Sequence, residues 1–448
     1  MKKTSKRFWF LNAIILSSLF GAAARANTTT AASCNASDVQ TAINAAQNGD
    51  TVIIPNGSCS WSVAVTLTKQ ITLQGQTVGG VTITDTNPNP NSAGLTANLL
   101  NVIIGGNFHT TIANLRFMPG TGTGNYININ GTGLVPLMHD MYFNVPNAQL
   151  FQAVQWWVVG GVIWNTTFES TDTVYPGSDS GCLVVKSSLP WDTPSTMGTL
   201  DTNGDKNLYI EDSTFNNVGQ CPDVDENGRV VLRHSQIIGS AGLTHGTTST
   251  YGGRFIEFYN DTFSYPDPTR NLNRYFWWRA GTGVVTNNSI QWINGSKYPN
   301  KPSFTFAVEN AQRAGAHGCL TGYMGFHQPG SGASGSQQSP TNLHSGQSPA
   351  EPYQISDPVY IWNNSGTGSG VPHIGLNDGS PQDCFNINPL TGVYYTTSDF
   401  FVLNRDYFVD SRAKPGWQPY TYPHPLRNAV GGGATKPVAP TGLAAIVQ

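Results

Sequence analysis

Three stretches decide the fold: LYIEDSTF at 208–215, VLRHSQI at 231–237 and FIEFYNDTF at 255–263. Each is a short alternation that reaches Asp, His or Asn and, three residues on, Phe or Ile. The pairs are Asp212 with Phe215, His234 with Ile237, and Asn260 with Phe263. Working outward, the same pattern gives Asn114 with Phe117, Asp140 with Phe143, Asn165 with Phe168, and Asn287 with Ile290. The apolar members are 26, 25, 47, 22, 26 and 27 residues apart. The long interval reads as one coil plus an insertion, the polar stretch from Ser187 to Lys206. Propeller blades need about 40 residues each, so a period near 25 points instead to the coils of a solenoid. Short strands with a polar residue at a recurring bend fit a parallel β-helix. The expected fold is all-β, a right-handed parallel β-helix of roughly nine to eleven coils. The bend residue is expected to point inward, its side chain satisfying backbone groups of adjacent coils.

An N-terminal capping helix precedes the coils. Ser37 with Gln40 reads as a capping box, and Val39, Ala42, Ile43 and Ala46 share one face. Gly49 stands where a C′ glycine belongs, and the strand Thr51 to Ile54 follows. Six cysteines, with no CxxC pair, suggest sequential disulfides: Cys34–Cys59, Cys182–Cys221 and Cys319–Cys384. Beyond the repeats, residues 313–358 are rich in Gly, Ser and Pro. Tyr360-Ile361-Trp362-Asn363-Asn364 reads as one more coil, and the proline-rich segment 415–426 is expected to pack back over the last coils.

Lys2, Lys3, Lys6 and Arg7, an apolar run to Phe20 and the small-x-small triplet Ala24-Arg25-Ala26 form a secretory signal peptide over 1–26. The β-helix domain is placed at 27–428 and a flexible tail at 429–448. The expected product is a secreted, soluble monomer. With 23 Lys and Arg against 26 Asp and Glu, the formal net charge is −3. A field this weak predicts neither nucleic acid nor membrane partners.

Alternation sets the faces. Ile256 and Phe258 point in; Phe255, Glu257 and Tyr259 point out. The outward slot before each bend residue gives a stripe: Ala113, His139, Trp164, Glu211, Arg233, Tyr259, Thr286 and Trp362. Acid, base, phenol and aromatic platforms on one face suit a sugar polymer. Arginines gather between 229 and 279 (Arg229, Arg233, Arg254, Arg270, Arg274, Arg279), a pattern suited to carboxylates. The partner expected is therefore an anionic polysaccharide. Arg233, Tyr259, His245, Glu257, Arg254 and Glu211 are the candidate catalytic residues. His139, Trp164, Tyr209, Arg229 and Arg279 are the candidate substrate contacts. Asp223-Val224-Asp225-Glu226-Asn227-Gly228 matches the first half of an EF-hand loop, but position twelve is His234. Asp223 and Asp225, with Glu211 or Glu257, are the candidate ligands of a Ca²⁺ cofactor.

The cap from Ala42 to Gly57, Ile71-Thr72-Leu73-Gln74-Gly75 and the repeated bends resemble the pectate-lyase-like β-helix superfamily. Arg254 to Phe263 and Tyr420 to Leu426 are similar to a group of its secreted bacterial proteins. The resemblance implies a polysaccharide-active protein but not the reaction. Pectate lyases use calcium held by acids and an arginine base, and Arg233 or Arg229 would fill the base role; Tyr259 and His245 are bases closer to neutral pKa. The leading reading is a lyase that cleaves a uronic-acid polymer by β-elimination. A glycoside hydrolase using Glu211 and Glu257, roughly 12 Å apart at Cα by strand geometry, is the second. A non-catalytic glycan-binding β-helix is the third.

Overall fold

The computed structural model describes residues 26–88, 98–122, 124–146, 152–171, 181–193, 198–245, 252–265, 275–291, 306–309, 330–335, 353–367, 374–377, 402–410 and 412–428. The signal segment, the tail, Arg270, Arg274, Cys319 and Cys384 lie outside them. Short Val-, Ile-, Thr- and Phe-rich strands stack in three long parallel sheets: sheet A with twelve strands, sheets B and C with ten each. Successive strands visit A, B and C in turn, and every pairing within the three sheets is parallel. The chain is a parallel β-helix. Its coil number matches the repeat arithmetic. The coil at Val359–Trp362 joins sheet A, as expected.

The interior is one apolar cluster running the length of the coils. Phe117, Phe143, Phe168 and Phe215 stack along the inner side of sheet B, with ring centroids 5.6, 4.9 and 5.3 Å apart. Each buried Phe contributes about 1.5–3 kcal/mol relative to exposure. A single coil could not bury these rings; stacking does it.

The bend residues behave differently from the expectation. Asn114, Asp140, Asn165, Asp212, His234, Asn260, Asn287 and Asn363 all have φ between 48° and 61°. They make the sharp corner from sheet A to sheet B in the left-handed conformation that Asn and Asp tolerate best. That corner turns their side chains outward. The inward ladder belongs to the next residue in each coil. Thr166 N–H donates to Ser213 Oγ at 3.2 Å, Ser213 N–H to Ser235 Oγ at 3.1 Å, and Ser235 N–H to Asp261 Oδ1 at 2.8 Å. Asp261 N–H then donates to Asn288 Oδ1 at 2.9 Å, and Asn288 N–H to Asn364 Oδ1 at 3.1 Å. The left-handed corner shifts the alternation by one residue, so the strands before it keep their expected faces.

The cap is a helix, Ala36–Ala45, with Val39, Ala42 and Ile43 buried. Its N-cap is Asn35, not Ser37, and Gly49 (φ 90°) belongs to the later turn into Thr51–Ile54. Cys34–Cys59 and Cys182–Cys221 are bonded. Among the described residues no helix is long and apolar enough to cross a membrane.

Candidate functional site

The ionisable groups singled out in the sequence fall on the outer faces of sheets A and C, and the two faces differ in access. The expected stripe lies on sheet A. There Glu211, Arg233 and Tyr259 stand side by side in adjacent coils, as the register required. They are not open to a polymer. Residues 412–428 cross this face as a strap, and residues 190–193 and 198 of the insertion bond to its flank. Glu211 and Arg233 have no exposed surface, and Tyr209, Tyr259, Glu257, Arg254 and Arg229 are buried.

Every end of Arg233 is occupied. Its Nε donates to Glu211 Oε1 at 2.8 Å, Nη1 to the Tyr259 hydroxyl at 2.6 Å and to Tyr420 O at 2.7 Å, and Nη2 to Thr421 O at 2.8 Å and to Glu211. Glu211 also accepts from Arg427 Nη1 at 2.9 Å and from the His424 N–H at 3.1 Å. Glu257 accepts from Gly198 N–H of the insertion at 2.9 Å and from Trp417 Nε1 of the strap at 3.4 Å. Burial lifts its carboxyl to about 7, with Trp417, Gly198, Lys414 and Arg233 pulling down.

Arg229 donates to the carbonyls of Pro190 and Thr193, and Arg254 to the carbonyl of Trp191 and to Asp357. Burial, with Arg254 adding repulsion, brings Arg229 down to about 9. His139 stacks on Trp164 at 4.4 Å and bonds Asp140 at 2.7 Å. Trp164 in turn lies 5.6 Å beneath Arg427. The expected stripe is thus a buried clasp that fastens strap and insertion to the coils. The expected hydrolytic pair, Glu211 and Glu257, is sealed inside it.

The second face is the outer side of sheet C. The strands Gln152–Trp157, Gly181–Lys186, Gln220–Val224, Ala241–Thr244 and Phe276–Trp278 lie next to one another there. Trp156, Val185, Val224 and Trp278 point into the core. By alternation, Trp157, Lys186, Asp225, His245 and Arg279 form one outward row. Asp223 and Trp277 fall in the row beside it. Backbone bonds continue the ladder past the strand ends: His245 N–H to Val224 O at 2.7 Å and Arg279 N–H to Thr244 O at 3.2 Å.

His245 Nδ1 lies 3.2 Å from both carboxylate oxygens of Asp223. Burial lowers the imidazole pKa, but the charge and hydrogen bond of Asp223 outweigh it, and the net shift is upward; Arg279 opposes. Lys186 Nζ lies 2.9 Å from Glu226 and 3.5 Å from Asp225, and 5.1 Å above the Trp157 ring. Burial would lower Lys186; Asp225 and Glu226 reverse that and hold it charged. Burial keeps Asp225 above the usual carboxylate range despite His245 and Lys186. Arg279 lies 4.7 Å over the Trp277 ring. The His245 side chain keeps about a quarter of its surface exposed, at 26%.

Sheet C therefore joins four residues singled out in the sequence: Asp223, Asp225, His245 and Arg279. It adds Lys186, Glu226 and Trp157, which the bend motif could not index. That motif fixes sheets A and B, whereas sheet C begins after connections of variable length. Asp223 and Asp225 do not fit a calcium cage as placed. Their oxygens face an imidazole and an ammonium group, and Glu211 and Glu257 belong to the other face. Among the described residues no group of three or more His, Cys, Asp or Glu is placed to hold a metal ion.

No family model matches the chain, and no curated protein does. Solved structures similar to it include an alginate lyase from Paenibacillus sp. str. FPU-7, at 13% identity over 60% of this chain and 97% of that one, with a TM-score of 0.35. A mannuronic acid specific polysaccharide family 6 lyase from human gut microbiota has 14% identity over 82% and 85%, with a TM-score of 0.39. Pectin methylesterase PemA from Erwinia chrysanthemi has 11% identity over 78% and 90%, with a TM-score of 0.33. At these levels the likenesses assign neither a reaction nor a substrate.

Proposed function

We propose that the protein is an exported lyase that cleaves a uronic-acid polysaccharide by β-elimination on the outer face of sheet C. The observation that carries this reading is the His245–Asp223 pair, whose side chains are 26% and 13% exposed, with Arg279, itself buried, in the next coil. Elimination needs a base for the proton next to the uronate carboxylate and a cation to neutralise that carboxylate. Asp223 fixes the ring through Nδ1, which leaves Nε2 as the base. Arg279, 6% exposed and stacked on Trp277, supplies positive charge beneath the carboxylate and stabilises the charge that builds as the proton leaves. The C–H electrons become the C4=C5 double bond, the C4–O bond breaks, and the departing oxygen takes a proton from water. Two disulfides suit an oxidising compartment, which supports export.

His245→Ala should lower turnover by about 10²–10⁴-fold without moving the unfolding midpoint. The readout is ultraviolet absorbance of the unsaturated product on alginate, pectate and other uronans. Because the folded imidazole pKa is raised, activity should climb with pH through a value above that of an ordinary histidine. New reducing ends without unsaturated product would overturn the elimination.

A further inference from the structure

The row that holds His245 continues toward the N-terminal coils and changes character. Ile103 pairs with Asn130 across sheet C, the ladder carries on to Trp157, and Trp157 pairs with Lys186. Ile103 is 42% exposed and Trp157 39%. Behind them runs a row of amides. Asn130 Nδ2 donates to Asn128 Oδ1 at 2.9 Å, Asn128 Nδ2 to Gln155 Oε1 at 2.7 Å, and Gln155 Nε2 to Gln152 Oε1 at 2.8 Å. The strands Leu100–Gly106, Ile127–Gly133 and Gln152–Trp157 contain no charged residue at all. One outward row therefore passes from cationic and acidic side chains to aromatic, amide and aliphatic ones, and Lys186 marks the change.

Distance makes the change sharp. Coils are ~4.8 Å apart, so Asn130 lies about 10 Å and Ile103 about 14 Å from Lys186 along the row. Those distances exceed the Debye length of roughly 8 Å at physiological salt. A carboxylate over Asn130 or Ile103 is screened from Lys186 and lies over strands that carry no cation, whereas a pyranose with hydroxyls meets amides and an aromatic ring. We infer that the outer face of sheet C takes a polymer whose units over the Ile103–Trp157 segment are uncharged, being neutral sugars or esterified uronates. The substrate class is then a partly uncharged uronan rather than a fully ionised one. This rests on the proposed use of the same face by an elimination reaction.

Affinity electrophoresis of the His245→Ala variant tests it without degrading the gel polymer. The gels contain fully ionised galacturonan or alginate, the same polymers partly esterified, or a polymer alternating uronate with neutral hexose. Binding to the uncharged-containing polymers should be tighter by roughly tenfold. Preference for the esterified gels or for the mixed polymer says which source the face reads. Adding Trp157→Ala should erase the preference, and adding Asn130→Lys should tighten binding to the fully ionised gels several-fold. Equal or tighter binding of the fully ionised polymers, or an equal loss for all polymers in Trp157→Ala, overturns the inference. Unsaturated product is scored separately on the unaltered protein. A binding preference with no product on any polymer supports the binding face and sinks the elimination; product without the preference does the reverse.

Discussion

The outer faces of sheets A and C are built from similar residues and end in opposite states. Both set acids beside arginine, histidine and aromatic rings in adjacent coils. On sheet A the guanidinium of Arg233 is filled by a carboxylate, a phenol and two strap carbonyls, with no surface left. On sheet C the imidazole of His245 has one nitrogen held and a quarter of its side chain exposed. Saturation separates the roles. A charged group with every valence answered by the protein holds the fold together, and one left partly unanswered can act on something else.

Removing Arg233 should test that contrast most severely. Arg233→Ala leaves Glu211 buried with only Arg427 and the His424 N–H and unties Tyr420 and Thr421. The expected loss is about 3–5 kcal/mol, read as a lower denaturant midpoint. An unchanged midpoint with activity gone would return the catalytic role to sheet A.

Glu257 gives a pH-dependent version. Its carboxyl is raised from 4.5 to about 7. A group raised in the folded state favours folding below its unfolded pKa, and that contribution fades as pH rises through about 7. The full swing is on the order of 3 kcal/mol. Glu257→Gln should therefore match the parent in mild acid and exceed it well above neutral pH, because glutamine Oε1 still accepts from Gly198 and Trp417. Parallel stability curves for the two proteins would show that Glu257 does not titrate across this range.

The smallest effect belongs to the inner ladder. Asp261 is fully buried with Oδ2 unpartnered, and burial raises its carboxyl well above the ordinary range. Asn288 and Asn364, at the same place in later coils, donate to Phe258 O and Val285 O. Asp261→Asn would aim its amide at Leu232 O by the same register. A gain of about 1 kcal/mol at neutral pH is expected, shrinking in acid as the aspartate becomes protonated. A loss of stability would mean that the carboxyl has a partner the amide cannot replace.

The fold was legible because it is periodic. Phe117, Phe143, Phe168 and Phe215 recur at coil spacing, and alternation assigned Ile256 and Phe258 inward correctly. One conformational detail is not legible: a left-handed residue looks the same in sequence whether it faces in or out, so alternation alone puts Asn260 and its equivalents on the inner side, where the structure turns them outward. The site was half legible. His245, Arg279, Asp223 and Asp225 stood out by residue type. Their common face did not, because sheet C follows connections of unequal length and has no bend motif to count from. The sealing of sheet A could not be read either. Segment 415–426 announced that it was no strand, but its landing place depends on contacts such as Arg233 to Tyr420, 187 residues apart.

The inner ladder also gives the solenoid a polarity. Each link runs from a backbone N–H to a side chain in the following coil, from Thr166 to Ser213, onward to Asn288 and Asn364. A chain made from its N-terminus always has an unanswered donor at its growing end, and the next coil is what answers it. A stack cut after any of these coils therefore ends on an inner N–H with no partner, whereas one cut before it ends on an unused acceptor, so the two ends of the solenoid are chemically unlike.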